Sequence, residues 1–401
     1  MTKSTTAAGL ATLAALSASS VASAFIPPSA STSIPSAVSA AATASVGEAM
    51  QDLTFSPPDT MGAGEITEVA CAEAASRMKR VAAPVPTYVS PSGSVGVSYI
   101  HWPADPSAAR ERGSTLPVLL VHGFDSSCLE YRRLGPKLAA QGVDVYAVDL
   151  LGWGYSQLDD VSTFSAQAKV DALAGFWEAV GGNKPVCIGG ASLGGAAAIE
   201  FGAANPDVVK GAVFIDAQGF VDGVGPMASL PKPLAQLGVK VLKSVPLRNS
   251  ANQMSYYDPE TYATEDALKV GRFHCLRDGW DDALVSFMLS GGFSPSTKVE
   301  KIEAPSLVLW GRQDGILEKE FADKFIDTLP DGELRWVEEC GHVPHLEQPE
   351  VTAEAIAGFL RSEKFEGVGG TEVAFEAVPT AVWGVGGLAG AAALAGAAFM
   401  N

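Results

Sequence analysis

An α/β architecture is what the sequence predicts: a mostly parallel central sheet with helices on both faces and an inserted helical cap. Three observations predict it. Between about residues 85 and 363, short β-branched apolar runs alternate with longer helical stretches, the pattern of parallel strands joined by crossover helices. Those strand-like runs are apolar throughout rather than alternating, as strands buried on both faces are. The alternation breaks from about 219 to 303, where Pro226, Pro231, Pro233 and Pro246 precede Tyr256, Tyr257, Tyr262, Phe273, Trp280, Phe287 and Phe293. A cap laid over the sheet accounts for both features.

The chain begins with Lys3, an apolar stretch from Ala7 to about Ala18, and Ala22-Ser23-Ala24 before Phe25. That is the layout of a signal peptide over residues 1–24, and it is no part of the fold. Residues 25–84 read as a presequence or disordered region. The Ala-Ser-Ala-Phe run, followed by Ser, Ala and Pro with no acid before Glu48, resembles the bipartite plastid presequences of algae, which points to a plastid. The absence of Lys or Arg between Lys3 and Arg77 keeps a secreted or endomembrane destination open.

Within the domain, Tyr88-Val89 and Val97 to Trp102 read as an antiparallel hairpin entering the sheet. Parallel strands are expected at 117–122, 143–149, 185–189, 210–216, 305–310 and 333–338. Helices are expected at about 128–141, 165–180, 193–204, 319–328 and 349–362, several of them ending in Gly or Asn-Pro. After residue 363 comes a hydrophobic Ala/Gly-rich tail, 364–401. Its segment from Ala381 to Met400 is long enough to span a bilayer, but Ala and Gly insert weakly. The tail therefore reads as a disordered or surface-lying segment or as a membrane anchor of weak affinity.

Composition excludes some functions. Hydrophobic residues make up 47% and charged residues 18%, which suits a globular chain rather than a disordered acidic one. A formal net charge of −18 argues against nucleic acid, whose phosphates call for clustered Lys and Arg. The densest basic run, Arg77-Met78-Lys79-Arg80, reads as solvated surface. Cys71, Cys128, Cys187, Cys275 and Cys340 form no CxxC pair, so neither a zinc site nor a disulfide scaffold is indicated. An odd number leaves at least one thiol unpaired, which fits a reduced setting.

The chemistry centres on Gly190-Ala191-Ser192-Leu193-Gly194. In G-x-S-x-G the serine occupies a strained strand-to-helix turn that only small neighbours tolerate, and here a buried strand precedes it and a helix follows. A serine hydroxyl needs a base, usually histidine, which a carboxylate orients. Of the five histidines, His342 follows the last expected strand, at the sheet edge where such a base is required. His345 reads instead as a hydrogen-bonded histidine at a helix entrance. Asp314 follows the preceding strand, giving the order Ser, Asp, His, while Asp216, after the strand before that, is the alternative acid. Backbone N–H groups of Leu193 and Phe124 are the expected oxyanion hole. There Gly123 allows close approach, and His122 is expected to be hydrogen-bonded for structure.

Taken together, His122-Gly123-Phe124, the run DLLGWGYS from Asp149 to Ser156, the G-x-S-x-G turn, Asp314 and Gly341-His342 resemble the α/β-hydrolase superfamily over residues 85–363. The runs at 122–156 and 271–293 look like its plant and algal chloroplast members. The resemblance implies the α/β-hydrolase fold, a serine triad and a substrate pocket between sheet and cap. Members that open epoxides or remove halide carry an aspartate as nucleophile, so Ser192 speaks against those activities. The expected activity is hydrolysis of an ester, thioester or amide of a small hydrophobic molecule, because such pockets are mostly apolar. Carbon–carbon bond hydrolysis or elimination by the same triad is an alternative, and a receptor-like member with little turnover is another. No Walker A loop, HExxH or dinucleotide fingerprint is present, so no cofactor or metal is expected.

Overall fold

The computed structural model describes residues 55–113 and 115–368. The signal peptide, residues 25–54 of the presequence and residues 369–401 of the Ala/Gly tail expected from the sequence lie outside the described residues. Among the described residues, no helix is long and apolar enough to cross a membrane.

Eight strands form one sheet, in the order β1-β2-β4-β3-β5-β6-β7-β8. They are β1 (Lys79–Pro84), β2 (Ser94–Trp102), β3 (Val118–Val121), β4 (Val145–Val148), β5 (Val186–Ala191), β6 (Val209–Ile215), β7 (Ser306–Gly311) and β8 (Gly332–Val337). The β1–β2 and β2–β4 pairs are antiparallel, and every pair from β4–β3 to β7–β8 is parallel. Every residue of β3, β5 and β7 is buried, which is why these runs show no polar alternation. Alternate residues serve opposite faces. Leu119, Val121, Ile188, Phe214, Val308 and Trp310 enter one apolar core, and Val118, Leu120, Cys187, Val213, Leu307 and Leu309 enter the other.

Helices cover both faces. The first core takes α4 (Ala166–Gly181) and α5 (Leu193–Ala204), and the second takes α1 (Val69–Ser76), α3 (Leu134–Ala140) and α13 (Pro349–Leu360). Short α2 (Pro106–Arg112) precedes β3, and α11 (Glu320–Thr328) joins β7 to β8. α4 shows how local sequence sets such limits. The Ser165 hydroxyl accepts from Ala168 N at 3.2 Å, and Gly182 ends the helix in the left-handed region at φ 60°, one cap for each set of orphan backbone groups.

Three expectations are corrected. Ordered structure begins upstream of residue 85, because α1 and β1 lie in the stretch read as presequence. The outer hairpin strand is Lys79–Pro84, whereas Tyr88-Val89 lies in the turn. Pro84 and Pro86 lack N–H donors, so pairing stops there. The basic run falls partly on this edge strand, with Lys79 exposed, where charge discourages edge-to-edge association. The single helix expected at 128–141 is instead a 3₁₀ turn, Cys128–Tyr131, followed by α3. Cys128 N is committed to Asp149 Oδ1 at 2.5 Å and the Tyr131 hydroxyl to Val121 O at 2.7 Å, which holds the entry in a tighter turn.

Between β6 and β7 the chain leaves the sheet for α6 (Lys232–Leu242), α7 (Val245–Ser255), α8 (Pro259–Tyr262), α9 (Glu265–Phe273) and α10 (Trp280–Leu289). These form the cap. All five cysteines are buried and free.

Candidate functional site

The parallel strands end at one edge of the sheet, and the residues singled out from the sequence follow those ends. Ser192 lies between β5 and α5, Asp216 directly after β6, Asp314 after β7 and His342 after β8. Among the described residues, seven non-glycine residues have positive φ, and Asp125, Ser192, Asp216 and Glu339 at this edge are four of them. Such backbone strain concentrates where a fold positions chemistry.

Ser192 has φ 49° and ψ −123°. The turn is pinned by Ser192 N donating to Ile215 O at 3.0 Å and by Gly195 N and Gln218 N donating to Ser192 O at 2.9 and 2.8 Å. Its tightness accounts for the glycines. A Cβ on Gly190 would stand 2.2 Å from Gly194 O, and one on Gly194 would stand 2.1 Å from Val121 O. Gly194→Ala is therefore expected to destabilise the fold by about 3 kcal/mol in denaturant unfolding. Gly238→Ala, on the exposed face of α6 with nothing within 4 Å of its Cβ, is expected to stabilise by up to about 1 kcal/mol. Equal shifts in the two variants would contradict the packing argument.

The same close approach seats the turn on the loop after β3. Gly123 lies against Ser192, with 3.4 Å between a Cβ built on the glycine and the serine Cβ. The chain segments carrying the N–H groups of Phe124 and Leu193 are thus neighbours. Phe124 stays 39% exposed, with its ring edge-on to Trp153 at 5.6 Å. His122 is buried and locked, with Nδ1 donating to Gly123 O at 2.8 Å and Nε2 accepting from Leu150 N at 3.1 Å. Burial holds its pKa below the ordinary histidine value, so it is a structural neutral imidazole. Asp149 organises the DLLGWGYS loop. It accepts from Ser98 Oγ, from Cys128 N and, at 2.8 Å, from Tyr155 N, and a Cβ on Gly154 would collide with it.

His342 Nδ1 lies 2.8 Å from Asp314 Oδ2. Asp314 Oδ1 accepts from Ile316 N at 2.7 Å and from Leu317 N at 3.1 Å, so the carboxylate is rigidly aimed. Burial pushes its pKa up, but His342, the Ile316 N–H and a hydrogen bond from Asp216 outweigh this and hold it below the usual carboxylate value. Asp216 shows the opposite behaviour. Fully buried, with the Asp314 charge beside it, it is raised well above that value. Its Oδ1 accepts from Gly311 N at 2.9 Å, while Oδ2 meets no protein donor. Two carboxyls this close cannot both ionise, so Asp216 keeps the proton and donates it toward Asp314. Ligand atoms of Asp216, Asp314 and His342 lie within 4.8 Å of one another, a spacing that could hold an ion. Within the cluster, His342 Nδ1 is already engaged by Asp314 Oδ2.

His345 is buried 2.9 Å from Glu130 Oε1 and 5.2 Å from the Tyr131 ring centroid. Glu130 Oε2 in turn accepts from Gly123 N at 3.1 Å, so Glu130 braces the loop carrying Phe124, while the expected hydrogen bond of His345 is not formed: both its buried ring nitrogens lack a hydrogen-bond partner among the described residues.

Sequence reasoning missed two buried acids. Glu347 accepts from Gly341 N at 2.7 Å and, through the cap, from Tyr257 N at 3.1 Å and Asp258 N at 2.8 Å. His342 N donates to Ser255 O at 2.8 Å, so cap and histidine loop are tied together twice. Asp125 accepts from Trp280 Nε1 at 2.8 Å, lies 2.9 Å from His274 Nε2 and pairs with Arg248. Nothing in the sequence links Asp125 to partners more than 120 positions away.

Residues 118–355 match the alpha/beta hydrolase family. The chain is 37% identical over 249 residues to the alpha/beta hydrolase domain-containing protein VTE7 of Arabidopsis thaliana, spanning 62% of this chain and 75% of that protein. It is 25% identical over 251 residues to Lipase 3 of Moraxella sp., spanning 61% and 76%. It is also 27% identical over 270 residues to the 2-hydroxy-6-oxo-6-(2'-aminophenyl)hexa-2,4-dienoic acid hydrolase of Metapseudomonas resinovorans, spanning 62% and 86%. The family match, the mostly parallel eight-stranded sheet and the inserted cap agree, and the chain belongs to the alpha/beta hydrolase family.

Proposed function

We propose that this hydrolase is a serine esterase in which Ser192 attacks the ester carbonyl, His342 is the general base and Asp314 orients the histidine. The observation that carries the reading is the 2.8 Å contact of His342 Nδ1 with Asp314, at the same sheet edge as the strained Ser192 turn. With the Nδ1 proton donated to Asp314, the other ring nitrogen is left as the acceptor for the serine proton. The serine oxygen bonds to the carbonyl carbon, and the developing oxyanion is received by the Phe124 and Leu193 N–H groups. The histidine then returns its proton to the departing alcohol, leaving an acyl-enzyme that water resolves by the same steps.

The substrate we infer is an ester with a hydrophobic acyl or alcohol part. Phe124, half-exposed on the loop that lies against the Ser192 turn, packs edge-on to buried Trp153, which packs in turn on the cap residue Phe287 at 5.0 Å. Likeness to a lipase supports an ester, while likeness to a dienoic acid hydrolase favours carbon–carbon cleavage as a second reading. A plastid setting accords with the plant relative.

A fluorophosphonate probe tests the reading. It is expected to label the wild type and to leave folded Ser192→Ala unlabelled. An unlabelled but folded wild type would overturn the serine mechanism and favour a receptor-like protein. Product analysis on aryl esters and on dienoic acids separates the two bond types.

A further inference from the structure

We infer that the outer face of the cap is a docking surface for an anionic lipid bilayer. α6 turns Ala235 and Val239 inward, yet Leu234, Leu237 and Val241 are 54%, 59% and 43% exposed. Their i, i+3, i+7 spacing makes one continuous stripe on α6. Large apolar side chains grouped in this way mark an interaction surface, whereas single ones are ordinary.

Charge identifies the occupant. The chain carries 45 acidic residues and a net charge of −18, yet no Asp or Glu occurs between Asp222 and Asp258. Within that interval stand Lys232, Lys240, Lys243 and Arg248. Arg248 is engaged by Asp125, and Lys243 lies 3.5 Å from Asp281. Lys232 and Lys240 are both exposed on α6, and Lys240 stands next to the leucine stripe. An apolar helix face flanked by lysines, on a protein that is acidic elsewhere, complements an anionic lipid surface. The side chains enter the headgroup boundary while the lysines meet lipid charge.

The placement also suits the proposed chemistry. α7 ends at Ser255, whose carbonyl holds His342 N, so a lipid-docked cap would bring the site close to hydrophobic substrate dissolved in the bilayer. The docking itself does not depend on that activity.

Vesicle flotation of the full chain in the Ser192→Ala background tests it, so that the outcome is independent of catalysis. The vesicles would be phosphatidylcholine alone or an equal mixture with phosphatidylglycerol. Binding is expected on the mixed vesicles, at least tenfold weaker on phosphatidylcholine and weaker in high salt. Two variants are expected to lose at least tenfold on mixed vesicles: Leu234→Ser/Leu237→Ser/Val241→Ser, and Lys232→Glu/Lys240→Glu. Both substitute exposed side chains, and an unchanged circular dichroism melting curve checks the fold. Binding unchanged in both variants, or equal on the two lipids, overturns the proposal. So does a concentration-dependent dimer that the triple substitution abolishes, since the face would then belong to a second copy.

Discussion

Asp314→Asn is expected to lower kcat by about 10⁴-fold, while Asp216→Asn stays within about tenfold of the wild type. The two acids follow adjacent strands, but their protonation separates them. Asp314 is held ionised against His342 Nδ1, and an amide there removes the charge that stabilises the imidazolium and upsets the tautomer. Burial and the neighbouring Asp314 charge push the Asp216 carboxyl well above the usual carboxylate value, which favours its neutral form, and an asparagine can copy that form with its carbonyl accepting from Gly311 N. The sign of the pH dependence follows. Asp216 binds its proton more tightly folded than unfolded, so above the unfolded carboxylate pKa it lowers stability as pH rises, until its own folded pKa is passed. Asp314 does the reverse, adding stability above its unfolded pKa that is lost as pH falls through the lowered folded value. Asp216→Asn should therefore match the wild type near pH 4 and exceed it at neutral and alkaline pH, as read by thermal unfolding. If the rate instead fell as far in Asp216→Asn as in Asp314→Asn, Asp216 would be the orienting acid.

Asp125→Ala is expected to destabilise the protein by about 3–5 kcal/mol, the usual consequence of breaking a buried ion pair from one side. Asp125 is 4% exposed and, despite burial, is kept ionised chiefly by Arg248 and then by His274. Its removal leaves the Arg248 guanidinium largely buried without its carboxylate, and leaves His274 and Trp280 Nε1 without their acceptor. Arg248 would keep its bond to Gly271 O at 2.9 Å, which puts the expected loss nearer the lower end. Because Asp125 follows Phe124 at φ 47°, the same variant should also loosen the oxyanion loop and reduce kcat. Denaturant unfolding followed by circular dichroism measures the loss. A loss below about 1 kcal/mol would mean that the cap is held chiefly by its apolar packing on Trp153 and Phe287.

The sequence by itself determined the six parallel strands, the strand-to-helix turn at Ser192 and the position of His342 after the last strand. Each of these is written in residues adjacent along the chain: unbroken apolar runs, small residues around a strained turn, and a Gly-His pair after a strand. What the tertiary structure decided depends on distance between segments. β1 was hidden because Lys79–Pro84 is short, basic and proline-ended, and becomes a strand only by pairing with β2. Context and chain order favoured Asp314 over Asp216, but each is an acid after a parallel strand. Only their packing shows that one lies 2.8 Å from the imidazole while the other, buried without a donor for Oδ2, must keep its proton. The Asp125 anchor joins positions 125, 248, 274 and 280, and no local pattern encodes a contact whose free energy exists only once sheet and cap have come together.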